Sequence, residues 1–245
     1  MPQKRRAPPK AISFDLDGTL LDGSPWRDVI RSTCDQIAAT LPGLDATRLF
    51  EANANVWERY FPQVEDDWVL GTLDGNALTR EAWRRTLLAC GSEDEGATVF
   101  AAEIYLRNRR HALRLFDDVR PMLTALRRQC TFALVTNGAS DTQRDAVEVL
   151  GLEGELSAVV ISAEVGIAKP DPAIFRVAVD RLGIGREHLW HVGDNLHTDV
   201  AGSQSAGLTA VWLNRQAARR TEGNPQPDIE LASLADLPPL LSADE

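Results

Sequence analysis

Cysteine is scarce in this sequence, and long hydrophobic runs are missing. The three cysteines, Cys34, Cys90 and Cys130, lie far apart and form no CxxC pair. Neither a disulfide framework nor a zinc site is therefore predicted, and a reducing, cytoplasmic location fits this usage. No apolar run reaches the roughly 18 residues needed to cross a bilayer, and the basic N-terminus is not followed by an apolar stretch. We therefore expect neither export nor membrane insertion.

Positive charge is also in short supply. The formal net charge is -10, and contact with a nucleic-acid backbone requires clustered Lys and Arg. Nucleic acid is therefore not an expected partner, whereas a small anionic substrate needs only a local positive pocket or a metal ion. The 245 residues, of which 44% are hydrophobic and 25% charged, suffice for a buried core. We expect a monomer or homodimer.

The pattern of hydrophobic residues divides the chain into two kinds of segment. Residues 11–16, AISFDL, are typical of a buried strand, and residues 22–115 show only helical patterns. After residue 116, helices alternate with the strand-like runs TFALVT, VVIS, LWHVGD and TAVWLN, and a last short strand and helix follow. This alternation predicts an α/β fold with a parallel sheet covered by helices.

These patterns also predict domain boundaries. Residues 1–10 are rich in proline and basic residues and are expected to form a flexible tail. The core is predicted to comprise residues 11–21 and 116–245. The helical domain at 22–115 is an insertion after the first strand, with an expected role as a lid or specificity element.

Six polar residues follow the predicted strands, at the edge where the carboxyl ends of parallel strands meet. They are Asp15, Asp17, Thr136, Asn137, Lys169 and Asp194. Grouped carboxylates and an ammonium are costly to bury unless they are paired or bound to a metal. Oxygen ligands without His or Cys favour Mg²⁺, which commonly binds carboxylates together with a substrate phosphate. The residues therefore predict a magnesium site and a phosphate-bearing substrate.

The charge of each residue and its position relative to the strand ends suggest a role for it. Asp15, nearest the strand, is the predicted nucleophile that attacks phosphorus and becomes an aspartyl-phosphate. Asp17 is predicted to act as general acid and then as general base. Thr136 and Lys169 are expected to bind the phosphoryl oxygens, and Asp194 is a predicted metal ligand.

Asn137 and three further residues near the predicted site have less specific patterns. Asn137 serves a turn, and its amide is a further predicted contact for phosphate. Asp199 either orients the lysine or reaches a metal-bound water, or it supplies negative charge to the start of the helix in which it lies. His191 and His197 are interpreted as structural, because a hard cation does not favour imidazole.

Four segments of the chain resemble the motifs of the haloacid dehalogenase superfamily, in the same order. They are DLDGTLLD at 15–22, TNG at 136–138, AKPDPAIF at 168–175 and GDNLHTDVAG at 193–202. The resemblance spans nearly the whole predicted core. It implies a Rossmann-like core, an α-helical cap inserted after the first motif, and Mg²⁺ as cofactor.

The resemblance also implies a role for each matching residue. Asp15 would be the nucleophile and a metal ligand, and Asp17 would be the acid/base and a metal ligand through its carbonyl. Asp194 would complete the metal ligands. Thr136 and Lys169 would bind phosphate, and Asp199 would be an auxiliary acidic residue.

The expected activity is magnesium-dependent hydrolysis of a small-metabolite phosphate monoester, such as a nucleotide or sugar phosphate. Two segments, ISAEVGIAKPDPAIF and GDNLHTDVAGSQSAGLTAVWLNR, resemble capped phosphatases such as pyrimidine 5'-nucleotidases, N-acylneuraminate-9-phosphatase and phosphoglycolate phosphatase. A phosphomutase of the β-phosphoglucomutase type and a catalytically silent binding domain are alternatives. Carbon-halogen hydrolysis is disfavoured, because the resemblance implies that dehalogenases lack an acid at the position of Asp17.

Aromatic residues are frequent in the predicted helical domain. Most are expected to form its core, and at most one or two are candidates for stacking on substrate. The residues are Trp26, Trp57, Tyr60, Phe61, Trp68, Trp83 and Tyr105.

Overall fold

The computed structural model describes residues 8–242, which contain one six-stranded sheet. The strands are β1 (Ala11–Phe14), β2 (Thr131–Thr136), β3 (Leu156–Ile161), β4 (Leu189–Gly193), β5 (Thr209–Leu213) and β6 (Ile229–Leu231). Their order is β3-β2-β1-β4-β5-β6, and every pairing is parallel. The predicted α/β class, with a Rossmann-like parallel sheet, is confirmed.

The described residues also contain ten α-helices and three other helical turns. The α-helices are α1 (Trp26–Thr40), α2 (Ala46–Leu70), α3 (Gly75–Ala89), α4 (Glu95–Ala112), α5 (Val119–Leu126), α6 (Ser140–Val149), α7 (Ser162–Val165), α8 (Pro172–Leu182), α9 (Gly202–Ser205) and α10 (Leu237–Ser242). Two 3₁₀ turns cover Arg186–His188 and Leu234–Asp236, and a π-helical turn covers Leu196–Ala201. None of the helices over residues 8–242 combines the length and apolar character needed to cross a membrane.

The centre of the sheet is buried and, apart from Ser13 and His191, largely apolar on both faces, as is typical of a parallel sheet covered by helices. All four residues of β1 are buried, and β1 pairs with β2 on one side and β4 on the other. Val135, Phe175 and Leu189 belong to a cluster of buried side chains around these strands. This packing fixes the carboxyl ends of β1, β2 and β4, which carry the candidate site.

The chain divides into two compact units. The sheet unit comprises the described residues up to 22, Arg114–Asn137, and the described residues from 151 onward. The helical unit comprises Gly23–Leu113 and Gly138–Leu150, and it has its own buried cluster around Trp83, Ile37 and Leu87.

Helix α6 belongs to the helical unit, whereas the predicted boundaries assigned this segment to the core. The carboxylate of Asp141 accepts hydrogen bonds from the backbone N–H groups of Gly75 and Asn76, at the start of α3 (2.9 and 3.0 Å). Arg110 on α4 pairs with Asp145 and Glu148 on α6. These polar contacts join distant parts of the sequence and leave no signature in hydrophobic periodicity.

The aromatic residues of the helical unit are less uniformly buried than predicted. Trp83 and Tyr60 are buried, whereas the other five are only half-buried. Trp57, Phe61 and Trp68 form a row along α2, with neighbouring ring centroids 5.7 and 5.8 Å apart. Their spacing on one face of a helix favours mutual contact as well as contact with the core.

Most of the predicted N-terminal tail, residues 1–7, lies outside the described residues. Within the described part, Lys10 donates its backbone N–H to the carbonyl of His188, and its carbonyl accepts from Thr131 (2.9 and 3.0 Å). Pro9 is buried and its carbonyl accepts from the thiol of Cys130. Backbone pairing with the sheet therefore begins before residue 11.

A network around Asp118 joins three loops of the sheet unit. Arg215 donates two hydrogen bonds to the Asp118 carboxylate (2.7 and 2.9 Å) and a third to the carbonyl of Thr19 (3.0 Å). The hydroxyl of Ser233 and the N–H of Leu234 also donate to Asp118 (2.6 and 2.9 Å). Burial alone would raise the pKa of Asp118, but the bonds from Arg215 and Ser233 bring it below its usual value.

We predict that Asp118→Ala lowers the free energy of unfolding by about 2 to 3 kcal/mol, because it leaves the Arg215 guanidinium without its carboxylate partner. Urea unfolding measures this change. The control is Arg80→Ala, which removes an exposed pair with Glu95 at 3.9 Å and should cost less than about 0.5 kcal/mol. Equal losses in the two variants would contradict the role given to Asp118.

Candidate active site

Three strands deliver polar side chains to the carboxyl edge of the sheet. Asp15 directly follows β1, and its backbone N–H donates to the carbonyl of Val192 in β4 (2.9 Å). Thr136 is the last residue of β2, and Asp194 directly follows β4. The strand order changes direction at β1, and in open α/β sheets ligands bind outside the carboxyl ends at such a point.

The ammonium of Lys169 lies between two buried carboxylates. Its Nζ donates to Asp15 Oδ1 and to Asp199 Oδ1, each at 2.6 Å. The three side chains are buried, with Lys169 5%, Asp15 7% and Asp199 1% exposed. Short charge-assisted hydrogen bonds of this kind compensate for the removal of the charges from water.

The pKa values of these three groups are shifted in different directions. Burial raises the pKa of Asp15 to about 8 in the absence of a metal ion, against the opposing charge of Lys169. Burial alone would also raise the pKa of Asp199, but Lys169 and His191 hold it well below its usual value. Burial would lower the pKa of Lys169, yet the two carboxylates raise it. Lys169 therefore carries a permanent positive charge at neutral pH.

Asp194 lies against the backbone of the loop that follows β1. A Cβ atom added to Gly18, whose φ is +80°, would lie 2.5 Å from Asp194 Oδ2. Only glycine permits both this backbone conformation and this close approach. The indole Nε1 of Trp212 donates to the carbonyl of Asp194 (2.8 Å) and fixes the same loop from β5.

The acidic residues suit a hard divalent cation. Asp15, Asp194 and Asp199 each offer a carboxylate oxygen, and these atoms lie within 4.8 Å of one another. Asp199 already accepts from Lys169 and His191 at Oδ1 and from the backbone N–H of Asn195 at Oδ2. Asp15 and Asp194 are therefore the better candidate ligands, and carboxylate oxygen favours Mg²⁺ over softer metals.

Asp17 is exposed beside these groups. Its charge makes a small contribution to raising the pKa of both Asp15 and Asp194. Partial desolvation and the nearby Asp199 raise the pKa of Asp194 to about 6. The crowding of these acids is a further sign that a cation belongs here.

The two residues predicted to follow β2 have different surroundings. Thr136 is 1% exposed, and its hydroxyl makes a 3.5 Å contact with the carbonyl of Asn137, a length at which a hydrogen bond is weak. Asn137 instead uses its side chain to hold the backbone of Lys169, accepting from its N–H (2.8 Å) and donating to its carbonyl (2.9 Å). Any contact of Asn137 with phosphate would therefore come from its backbone.

The structure thus brings Asp15, Lys169 and Asp199 into direct contact and places Asp194 next to them. The sequence analysis missed the reciprocal pair between Asn137 and Lys169, the contact of Gly18 with Asp194, and the indole of Trp212. A signal for the glycine was present in its position inside the first motif. The other two contacts join residues 32 and 18 positions apart in sequence, and no local pattern marks them.

Comparison with known proteins identifies the family. The sequence pattern of the haloacid dehalogenase-like hydrolases matches residues 9–207. The chain belongs to this family. A phosphoserine phosphatase from Thermus thermophilus is 36% identical over 248 residues, which cover 93% of this chain and 97% of that protein.

Two other similar proteins illustrate the range of activities in the family. The N-acylneuraminate-9-phosphatase of Mus musculus is 28% identical over 260 residues, covering 96% of this chain and 94% of that protein. The crystal structure of a 2-haloacid dehalogenase from Pseudomonas syringae pv. tomato has a TM-score of 0.69 and 29% identity, and the match covers 97% of this chain and 100% of that chain. Family membership therefore establishes that the protein is a hydrolase. The residues of the site have to decide between phosphate-ester hydrolysis and dehalogenation.

We predict that Gly18→Ala weakens Mg²⁺ binding at least about tenfold, because its methyl group would displace the Asp194 carboxylate. Isothermal titration calorimetry measures this affinity. Gly183→Ala is the matched control, since Gly183 also has a positive φ (+64°) but no atom within 4 Å of an added Cβ. The control should cost only about 1 to 2 kcal/mol of stability. Unchanged Mg²⁺ affinity in Gly18→Ala would contradict the assignment of Asp194.

We predict that Mg²⁺ affinity rises with pH through about 6, because the ion competes with protons on Asp194. The slope should be on the order of tenfold per pH unit for each proton displaced. Calorimetry in buffers of different ionisation enthalpy measures both affinity and proton release. Asp194→Asn should lose the step near pH 6, and an affinity independent of pH would contradict the raised pKa of Asp194.

Proposed function

We propose that this hydrolase is a magnesium-dependent phosphatase that cleaves phosphate monoesters of small metabolites through an aspartyl-phosphate on Asp15. The observation that carries the proposal is the Lys169 ammonium bonded to Asp15 at 2.6 Å, with a second acid, Asp17, two residues farther on. An ammonium next to a carboxylate nucleophile neutralises the charge of an incoming phosphoryl group.

Asp17 favours phosphate-ester cleavage over dehalogenation. A halide is a weak base that departs without a proton, so a dehalogenase has no need of a general acid at this position. The alkoxide released from a phosphate ester is strongly basic, and a carboxylic acid that protonates it lowers the barrier. Asp17 is exposed beside Asp15 and Asp194, where it can serve as such an acid.

In the first step, a carboxylate oxygen of Asp15 forms a bond to phosphorus and the bond from phosphorus to the ester oxygen breaks. Asp17 gives its proton to that oxygen, and the alcohol leaves. Lys169 holds the phosphoryl oxygens, whose charge spreads in the transition state. The buried hydroxyl of Thr136, at the end of β2, would donate another hydrogen bond to them.

In the second step, Asp17 accepts a proton from water, and the water oxygen forms a bond to phosphorus. The bond from phosphorus to Asp15 breaks, so that the carboxylate is restored and inorganic phosphate is released. The net reaction consumes one ester and one water. It produces one alcohol and one phosphate, and Asp17 finishes in its starting protonation state.

Mg²⁺ would be held by the carboxylates of Asp15 and Asp194 together with the carbonyl of Asp17, the last by resemblance to the family. When bound, the ion supplies positive charge that offsets the negative charge of the carboxylates and of the phosphoryl group. Lys169 would remain bonded to Asp199. The lysine is thus expected to provide a fixed positive charge. Asp15, Asp17 and Asp194 are expected to bind the ion, and Asp17 to transfer protons.

The class of substrate follows from charge and from the relatives. The net charge of -10 disfavours a nucleic-acid substrate, and the similar phosphatases are named for phosphoserine and N-acylneuraminate 9-phosphate. We therefore propose a small phosphorylated metabolite, with sugar phosphates, nucleotides and phosphoserine as the compounds to test. Binding to a nucleic acid or to a membrane is not part of this proposal.

We predict that the purified protein releases phosphate from p-nitrophenyl phosphate with Mg²⁺ and loses this activity with EDTA. Asp15→Asn should lower kcat by at least about 10³-fold, because a neutral amide cannot form the phosphoenzyme. The matched control is Asp45→Asn, which alters the N-cap of α2 but keeps a capping side chain, and its kcat should be unchanged.

The same assay extends to a panel of sugar phosphates, nucleotides, phosphoserine and 2-haloacids. Asp17→Asn should accumulate phosphoenzyme, detectable by mass spectrometry, because hydrolysis of the intermediate loses its base. Halide release without phosphate release would overturn the proposal in favour of a dehalogenase. Activity of Asp15→Asn close to that of the wild type would overturn the nucleophile.

A further inference from the structure

A buried chain of hydrogen bonds leads from Asp199 into the sheet. His191 Nε2 lies 3.3 Å from Asp199 Oδ1, and His191 Nδ1 lies 3.0 Å from the hydroxyl of Ser13. Ser13 and His191 are register partners on β1 and β4, and they are 0% and 1% exposed. Neither residue takes part in the proposed chemistry. His191 contacts Asp199 directly from within the sheet, and Ser13 contacts His191.

The protons available on His191, Asp199 and Ser13 decide which of their atoms donate hydrogen bonds and which accept them. Burial lowers the pKa of His191, which favours a neutral ring with a single N–H. The carboxylate of Asp199 can only accept a hydrogen bond, so the N–H of the ring has to be on Nε2. Nδ1 is then an acceptor, and the single proton of the Ser13 hydroxyl has to point to it.

The distances agree with this connection. The Ser13 hydroxyl has a second acceptor, the carbonyl of Trp190, at 3.3 Å, but the ring nitrogen at 3.0 Å is closer. Phe175 packs edge-on against the imidazole with ring centroids 4.8 Å apart, and it is fully buried. Phe175 and Ser13 therefore both hold the ring, and the Ser13 hydroxyl is placed to donate to Nδ1.

We propose that Ser13 and His191 are positioning residues: the Ser13 hydroxyl donates to Nδ1 and so stabilises the His191 tautomer that donates from Nε2 to Asp199, and Asp199 then holds the Lys169 ammonium against Asp15. Asp199 Oδ1 receives both the Nε2–H and the ammonium, so the imidazole sets the direction in which this oxygen faces Lys169. Groups that orient a charged side chain in an active site are typically worth about tenfold to hundredfold in activity.

The tautomer can be measured without any substrate. In ¹⁵N-labelled protein, long-range ¹H–¹⁵N correlation spectra distinguish the two neutral tautomers and the imidazolium, and the signals of His191 are assigned by their loss in His191→Gln. The wild type should show the Nε2–H form at pH 7. Ser13→Ala should show a mixture, because Nδ1 loses its donor. An Nδ1–H form or an imidazolium in the wild type would overturn the proposal.

The kinetic arm rests on the proposed function and compares two substitutions of His191. His191→Met fills the cavity but donates nothing to Asp199, whereas His191→Gln retains an N–H donor at about the position of Nε2. We expect kcat with p-nitrophenyl phosphate to fall about tenfold to hundredfold in the Met variant and less than about threefold in the Gln variant. KM should change less than kcat in both. Equal losses of kcat in the two variants, with equal losses of thermal stability, would mean that His191 acts only by packing in the core. That result would overturn the proposal.

A double-mutant cycle tests the link between the two residues. If Ser13 acts through His191, Ser13→Ala should lower kcat in the wild type but have no further effect in His191→Met. Additive losses would overturn the connection. If the wild type shows no phosphatase activity, the proposed function fails, while the NMR spectra still decide whether the Ser13–His191 arrangement exists.

Discussion

The ammonium of Lys169, shared between the buried carboxylates of Asp15 and Asp199, is the interaction on which the site depends. None of the three charges would be tolerated at this depth without the others, because removal from water costs several kcal/mol for each ion. Their contact joins β1, the loop after β3 and the turn after β4 at one point. The side chain of Asn137 closes the arrangement by holding the backbone of Lys169 from the end of β2.

Close backbone approach is the second requirement of this site. A Cβ atom on Gly193 would lie 2.3 Å from Asp199 Cγ, and one on Gly18 would lie 2.5 Å from Asp194 Oδ2. Because these two glycines have no side chain, the carboxylates of Asp199 and Asp194 can lie close to the main chain at the end of the sheet. The result is an acidic edge that is crowded before any ion binds, and burial, together with the neighbouring carboxylates, raises the pKa values of Asp15 and Asp194.

The support of the site continues inward through the sheet. Ser13 and His191 stand opposite each other on neighbouring parallel strands, a position that a hydrophobic residue would ordinarily occupy in the centre of a covered sheet. Polar groups at this depth have to satisfy one another, and the pair does so by ending on Asp199. Side chains whose own partners are fixed by packing and hydrogen bonds in this way keep a defined geometry.

The sequence by itself determined the α/β class, the strands that end in Asp15, Thr136 and Asp194, and the family, because hydrophobic periodicity and short motifs are local properties of the chain. Tertiary structure alone decided that the Asn137 side chain holds Lys169, that His191 supports Asp199, and that α6 groups with the inserted helices. Each of these depends on a contact between side chains or backbone groups distant in sequence. Such contacts follow from strand register and packing, which no local pattern encodes.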